Sequence, residues 1–440
     1  MFTSKGTLRL SPALCLLVAV IGASSMVVYH LGFFIPRMLA VRSLNGGGNG
    51  YSFGDDFYPV WLTSRQAGLQ GHNLYSAEMT RKIQIGLFGR PLDARNPKDP
   101  PEDYRQFAYP AFTDLLLWPA SLVDFPLLRV FLAILLPLLT VISIRFWMLA
   151  VEWRVDALRF AAIVVLTLCS YELLEAFFAE QPGLLVGFCL AGAALAVRRN
   201  KLLLAGILLS VCLIKPQITV LAGSYLILWS SSDRRRAHLW IGFCCMTACL
   251  LAASCLLWPH WLIEWIRILS GYHRYAMPPL VAVLLGPTLD PRYAPIVIGV
   301  LLLASAHLAW RKRHARAESA DFWLTLSLLL AITSFAILPG QAVYDHFVLI
   351  PGVFLLLQYG DKLHDAGRVP RALQRVGTLV LLWQFVAAFI LLCLHAFAIR
   401  AFNSYVVFSL PIRTAASLPF VVFALLVWTW HLNVKNQAPS

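Results

Sequence analysis

Apolar runs of roughly 17 to 25 residues recur along the whole of this 440-residue chain, each long enough to cross a hydrocarbon core of about 30 Å as a helix. Lipid offers no water to unpaired backbone groups, so a chain of this pattern must close its own hydrogen bonds within helices. The fold class expected is all-α and polytopic, a bundle of about ten to twelve transmembrane helices. Hydrophobic residues make up 59% of the chain and charged ones only 13%, an excess of apolar surface that must face lipid. The short alternating segments of a membrane β-barrel are not seen.

The formal charge of +14 raises the question of a nucleic-acid partner. The Lys and Arg residues answer it by position: they sit in short clusters between apolar runs, as topology signals do. No nucleic-acid partner is expected. By the positive-inside rule Arg198-Arg199-Asn200-Lys201, Arg234 to Arg236, Arg311 to Arg313 and Lys362 to Arg375 are cytoplasmic. Lys5 and Arg9 precede an apolar run over 11–34, longer than a cleaved signal peptide needs, which reads as an uncleaved first helix.

Counting crossings then makes residues 36–106 a long polar external loop within a single integral membrane domain spanning 1–440. Later helices are expected near 238–257, 293–310, 321–338, 343–359, 376–399 and 415–432. Residues 202–229 lie between two cytoplasmic clusters yet are too short for two full spans, which predicts a hairpin of short helices broken at Lys215-Pro216. Four apolar stretches between 107 and 197 exceed the odd number that the charge rule allows; the first is expected to be re-entrant or interfacial. Helical spacing over 57–70 and 76–88 predicts two surface helices in the external loop. Trp258, Trp261 and Trp265 read as an interface belt. The nine cysteines all lie in apolar segments without zinc-like or redox-like spacing and read as packing residues.

In so charge-poor a chain, an ionisable residue at a helix end needs a partner or a function. Asp55, Asp56, Glu180, Lys215, Asp345 and His346 are such residues, and Asp56, Glu180, Lys215 and His346 can all lie toward the non-cytoplasmic side. Asp56, in Gly54-Asp55-Asp56-Phe57-Tyr58-Pro59, fits a helix N-cap and equally a general base that takes a proton from a hydroxyl. Lys215 fits a snorkelling lysine, but Pro216 frees backbone groups where a polar cavity would need them, favouring a cation on a phosphate. Glu180-Gln181-Pro182 opens a helix, Tyr344-Asp345-His346 opens another, and Arg274 lies in an external loop within reach of an anionic headgroup.

An ordered set of motifs resembles glycosyltransferase family 87, membrane mannosyltransferases of GT-C architecture that use polyprenyl-phosphate sugars. It comprises Asp56-Phe57 through Trp61 with Ser64-Arg65, Gly71-His72-Asn73-Leu74-Tyr75, Phe107-Ala108-Tyr109-Pro110 with Pro119, Glu180-Gln181, Ala205-Gly206 leading to Ile214-Lys215-Pro216, and Tyr344-Asp345-His346 before Pro351. The chain departs from the family's usual pattern at Tyr109-Pro110-Ala111, where Tyr-Pro-Pro is common, and at Glu180, where Gly precedes Gln.

The resemblance implies a hexosyltransferase that moves a sugar, mannose being the family's commonest, from a polyprenyl-phosphate donor to a glycolipid or glycan acceptor. It would act at the non-cytoplasmic face of a bacterial-type plasma (inner) membrane. Asp56 would be the catalytic base, with Asp55, Tyr109, Glu180, Gln181, Lys215, Gln217, Arg274, Tyr344 and His346 as substrate-binding residues. A lipid phosphate is already a good leaving group, so such a reaction needs one base and cations on the departing phosphate. No cofactor and no metal are expected, and the only other partners are membrane lipids. A polytopic lipid or solute transporter or flippase is the competing class, since it too buries charge in a helix bundle.

Overall fold

The computed structural model describes residues 11–44, 51–274, 276–286, 290–340, 342–397 and 405–435. Lys5, Arg9 and Gln341 lie outside them. The N-terminal half contains α1 (Pro12–Tyr29), α2 (Ile35–Leu44), α3 (Tyr58–Gln70), α4 (Ala77–Phe88), α5 (Phe112–Ser121), α6 (Phe125–Ala150), α7 (Ala157–Leu168), α8 (Tyr171–Phe178), α9 (Gly183–Arg198) and α10 (Leu202–Val211). There follow α11 (Pro216–Ser231), α12 (Ala237–Leu257), α13 (Trp261–Gly271), α14 (Leu280–Leu285), α15 (Ala294–Lys312), α16 (Ala320–Ala336), α17 (Ile350–Gln358), α18 (Gly360–Asp365), α19 (Arg368–Ala396), α20 (Tyr405–Phe408), α21 (Leu410–Ala415) and α22 (Leu418–Lys435). Among the described residues there is no β-strand.

Six helical segments are long and apolar enough to cross a membrane, seven if α7 and α8, bent by 58° at their junction, cross as one broken span. Four further apolar helical stretches of 10–17 residues, among them α9 and α16, are shorter. The protein is an all-α polytopic membrane protein. Its outward faces agree: Leu127, Phe131, Ile134 and Leu138 of α6 and Ile296, Val300 and Leu303 of α15 are exposed at helical spacing, a lipid-facing stripe on each. By contrast α16 is buried from Phe322 to Ala336 on every side, enclosed by α11, α15, α17 and α22.

The first helix runs further than expected. Pro36 lacks an N–H and its ring would crowd the preceding turn, and the chain accommodates it with a π-helical turn over His30–Phe34 before resuming as α2. Residues 36–44 of the anticipated loop are therefore helix, and Arg42 ties α2 to the loop through the carbonyls of Tyr51 and Leu87.

The rest of the loop is a packed unit. Met79, Ile83 and Leu87 of α4 are buried with Val60, Leu74, Phe107 and Phe112 in a second core. Helix α5 has ten residues, too few to cross, and packs on α3. Trp261 does not take part in the expected interface belt, being buried against Phe112; Trp265 is half-buried, its indole donating to the Ala108 carbonyl at 2.9 Å. The loop core had room for the Trp261 ring, and burial there removes more apolar surface than a headgroup layer could.

The predicted break at Lys215 is present. A residue before proline is steered away from helical angles, and Lys215 has φ −136° and ψ 72° between α10 and α11. The far end of α11 returns to the basic clusters: the Trp229 indole donates to the Ala315 carbonyl at 2.7 Å, Arg236 to Arg313 at 3.3 Å and Arg198 to Ala317 at 3.3 Å. The clusters near 198, 236 and 313 thus share one end of the bundle, and Lys215 lies at the other ends of α10 and α11.

Candidate functional site

Two short segments build the site. Residues 51–57 dock on the turn after α8, with Gly54 N–H donating to Phe178 at 2.8 Å and Asp56 N–H to Ala179 at 3.2 Å. Gly54 has φ +76°, and a Cβ there would stand 2.7 Å from a Glu180 carboxyl oxygen, so both backbone angle and space demand glycine. Opposite, the buried Gln84 amide of α4 donates to the carbonyls of Glu102 at 2.8 Å and Tyr104 at 3.0 Å. That fixes the strap carrying Arg105, itself at φ 67°. Left-handed backbone at Arg105 and Glu180, neither a glycine, persists only where surrounding contacts enforce it.

Arg105 closes the acidic pair. Its guanidinium donates to Asp56 at 2.5 Å and to Asp55 at 2.8 Å. Asp56 does not cap α3; its second oxygen accepts from the Gln181 side-chain amide. Gln181 in turn accepts from Lys215 Nζ at 3.1 Å, and Lys215 donates to both Asp345 oxygens at 2.9 and 2.8 Å. A continuous chain of contacts therefore runs Asp55, Arg105, Asp56, Gln181, Lys215, Asp345. Gly183 allows its last link, since a Cβ there would lie 2.8 Å from Asp345 Oδ1. The Tyr344 ring lies 5.2 Å from the Lys215 ammonium.

Exposure and charge separate the three carboxyls. Asp56 keeps 18% of its side chain exposed, whereas Asp55 keeps 5% and Asp345 none. Burial, with Asp56 and Glu175 nearby and only partly offset by Arg105, raises the Asp55 carboxyl well above the usual range. Burial opposes the Arg105 charge, but Asp55, Tyr104 and Asp56 more than restore it. The Tyr109 phenol, half-buried and facing Asp56, Tyr272 and Asp345, is likewise raised and stays a neutral hydroxyl.

Four candidates go elsewhere. Glu180 is fully buried and turns from the chain of contacts toward Arg129; burial, partly offset by Arg129, raises it to about 8. Arg274 pairs with Asp103 at 2.6 Å on an exposed surface. Gln217 is half-buried in the first turn of α11, with no hydrogen bond to the chain of contacts among the described residues. His346, one residue past Asp345, faces an apolar pocket on another side of its 3-10 helix, Val343–Leu349, because three residues make a turn there.

The sequence reading missed Arg105 and Tyr272. The signal available was indirect: two adjacent acids in a chain with so few charges require a cation, and Arg105 opens the segment leading to Tyr109. It also missed His30, which is buried and whose ring meets the half-buried Glu175 at 2.7 Å, joined by the Tyr51 hydroxyl at 3.3 Å. Among the described residues no three His, Cys, Asp or Glu gather as metal ligands.

The arrangement offers a partly exposed carboxyl group beside two held cations and phenols, a set suited to accepting a proton from a hydroxyl next to a developing negative charge. No curated protein and no solved structure matches the chain. The sequence profile of glycosyltransferase family 87 does, over residues 107–339, which include Tyr109, Gln181 and Lys215. That span is more than half of the chain, and the protein belongs to glycosyltransferase family 87: it is a membrane glycosyltransferase.

Proposed function

We propose that this glycosyltransferase, of GT-C type, moves a hexose, mannose by resemblance, from a polyprenyl-phosphate carrier to a hydroxyl of a glycolipid or glycan acceptor, with Asp56 as general base. The supporting observation is the position of Asp56: it alone among the three carboxyls is open, and Arg105 and Gln181 hold its two oxygens in a fixed direction. In the reaction the acceptor oxygen bonds to the anomeric carbon, the bond from that carbon to the phosphate oxygen breaks with its electron pair, and the hydroxyl proton passes to Asp56. Lys215 and Arg105 supply the positive charge for the departing phosphate. Lys215 has its three N–H bonds engaged, and its longest contact, to Gln181 at 3.1 Å, is the one a phosphate oxygen would replace. The cluster lies away from the end where the basic residues collect, which supports a site on the non-cytoplasmic face of a plasma membrane.

Transfer from a radiolabelled lipid-phosphate sugar in membranes tests the reading. Asp56→Asn keeps shape and loses basicity, so the rate should fall by about 10²- to 10⁴-fold at normal protein abundance. Asp55→Asn should stay within about tenfold of wild type, because an amide resembles the protonated acid that burial favours there. Near-normal transfer by Asp56→Asn removes Asp56 from the mechanism. Lys215→Met should weaken donor binding and turnover together, with Lys215→Arg recovering part of both.

A further inference from the structure

Behind the 3-10 helix that carries Asp345 lies a partly open pocket between α7, α8, α17 and α19. Its walls are almost wholly apolar, and Leu357 on its lining is half-exposed at the lipid-facing surface. The exceptions are mostly gathered together: Glu172 of α8, His346 and Gln384 of α19, all buried, with Ser170 beside Glu172.

These groups are unevenly satisfied. Gln384 spends its oxygen on the Tyr171 N–H at 2.7 Å. The His346 ring bonds to the Ser334 backbone and leaves Nδ1 without a partner. The Glu172 carboxyl has the Gln384 amide and the Ser170 hydroxyl beside it, yet neither of its oxygens has a hydrogen bond of good geometry in the protein. Unpaired buried polar atoms are costly, and here they come from two separate elements and line one cavity. His346 Nδ1 and a carboxyl oxygen of Glu172 both accept, so a group that completes the site carries a donor hydrogen. No Lys or Arg is among the described lining residues, and a phosphate beside Glu172 would find no counter-charge.

We propose that this pocket is a lipid site, distinct from the proposed phosphate-sugar site, that takes a single chain of a membrane lipid bearing a free, uncharged hydroxyl. The chain lies against Ile350, Val353 and Leu381, and the hydroxyl donates to Glu172 or His346 Nδ1. The ligand would sit one peptide from Asp345, against the segment that positions Lys215.

Delipidated full-length protein in detergent, with no sugar donor present, tests the proposal by native mass spectrometry. The probes are monooleoylglycerol, methyl oleate with the same chain but no hydroxyl, and oleoyl lysophosphatidate with a charged head. Monooleoylglycerol should bind about tenfold more tightly than either, the worth of one good buried hydrogen bond. Glu172→Leu and His346→Phe should lower it to the level of methyl oleate, and a diazirine-bearing monoacylglycerol should label peptides containing Leu381 or Ile350. Asp56→Asn should bind as wild type does, which keeps the outcome independent of the proposed reaction. Equal binding of methyl oleate, preference for lysophosphatidate, or labelling unaffected by both pocket variants would overturn it; the probe comparison on wild-type protein needs no variant to fold.

Discussion

The two polar sites on either side of the 3-10 helix Val343–Leu349 are built on opposite terms. On one side the charged groups hold one another: Asp345 holds Lys215, Lys215 holds Gln181, Gln181 and Arg105 hold Asp56. On the other, Glu172 and His346 are as deeply buried but leave acceptor atoms unpaired. A continuous chain of contacts fixes geometry, because moving any member strands its neighbour. An unsaturated set is an incomplete site whose remaining bonds come from something bound. Burial of charge therefore carries different meanings within a single protein, and the partner list decides which.

The sharpest way to break the contrast is to remove one acid from each side. Asp345→Asn leaves the Lys215 ammonium buried without its counter-ion and should destabilise the protein by about 3–5 kcal/mol, read as thermal unfolding in detergent. Adding Lys215→Met should restore much of that loss, because the stranded charge is gone; a double variant no better than Asp345→Asn would refute the pairing as the source. Glu172→Leu, by comparison, removes unpaired oxygens and should be neutral or stabilising by up to about 1–3 kcal/mol. A loss comparable to that of Asp345→Asn would erase the distinction between the two sites.

A smaller effect sharpens how the first site is held. Gly54→Ala places a Cβ against Glu180 in a backbone region that L residues rarely adopt, and should cost about 1–3 kcal/mol while lowering transfer, since Asp56 follows two residues later. Undiminished transfer would show that the loop docks without Gly54.

The smallest expected effect is a pH dependence. Burial raises Glu180 from 4.5 to about 8, so the folded state keeps a proton that the unfolded chain releases. This contribution is fully present below about 4.5 and is lost as pH rises through about 8. Glu180→Gln should flatten the decline in melting temperature between those limits; an unchanged slope would mean that other groups, Asp55 foremost, carry it.

Much of the architecture could be read from periodicity, because lipid forces long apolar runs into helices whatever their neighbours. Helices over 57–70 and 76–88, the break at Lys215 and the later membrane helices stand close to where spacing and Pro216 put them. The extension of the first helix through Leu44 was not legible, since Pro36 marks an end unless a π turn absorbs it, and that turn depends on the His30 to Phe34 environment. Trp261 was misread because an aromatic's amphipathic chemistry suits an interface and a buried core equally well.

The site divides in the same way. Scarcity of charge singled out Asp56 and Lys215, and the family's motif order added Gln181; these three are linked by hydrogen bonds. Arg105 could not be placed, because its role rests on the Gln84 clasp and a left-handed backbone angle with no sequence signature. Nor could Glu180 and Gln181, adjacent in sequence, be told apart. A turn sends one to Arg129 and the other to Asp56.

By itself the sequence determined that this chain is a helical membrane protein of a glycosyltransferase family and which few ionisable residues need explaining. It could do so because hydropathy, proline and charge act locally, through solvation and backbone sterics. Only the tertiary structure decided which of those residues meet, which stay open to a substrate and which are turned away. Such outcomes depend on contacts between segments more than a hundred residues apart, as Lys215 and Asp345 are, and on a rotation of one residue along a helix that sends Asp345 to one site and His346 to another.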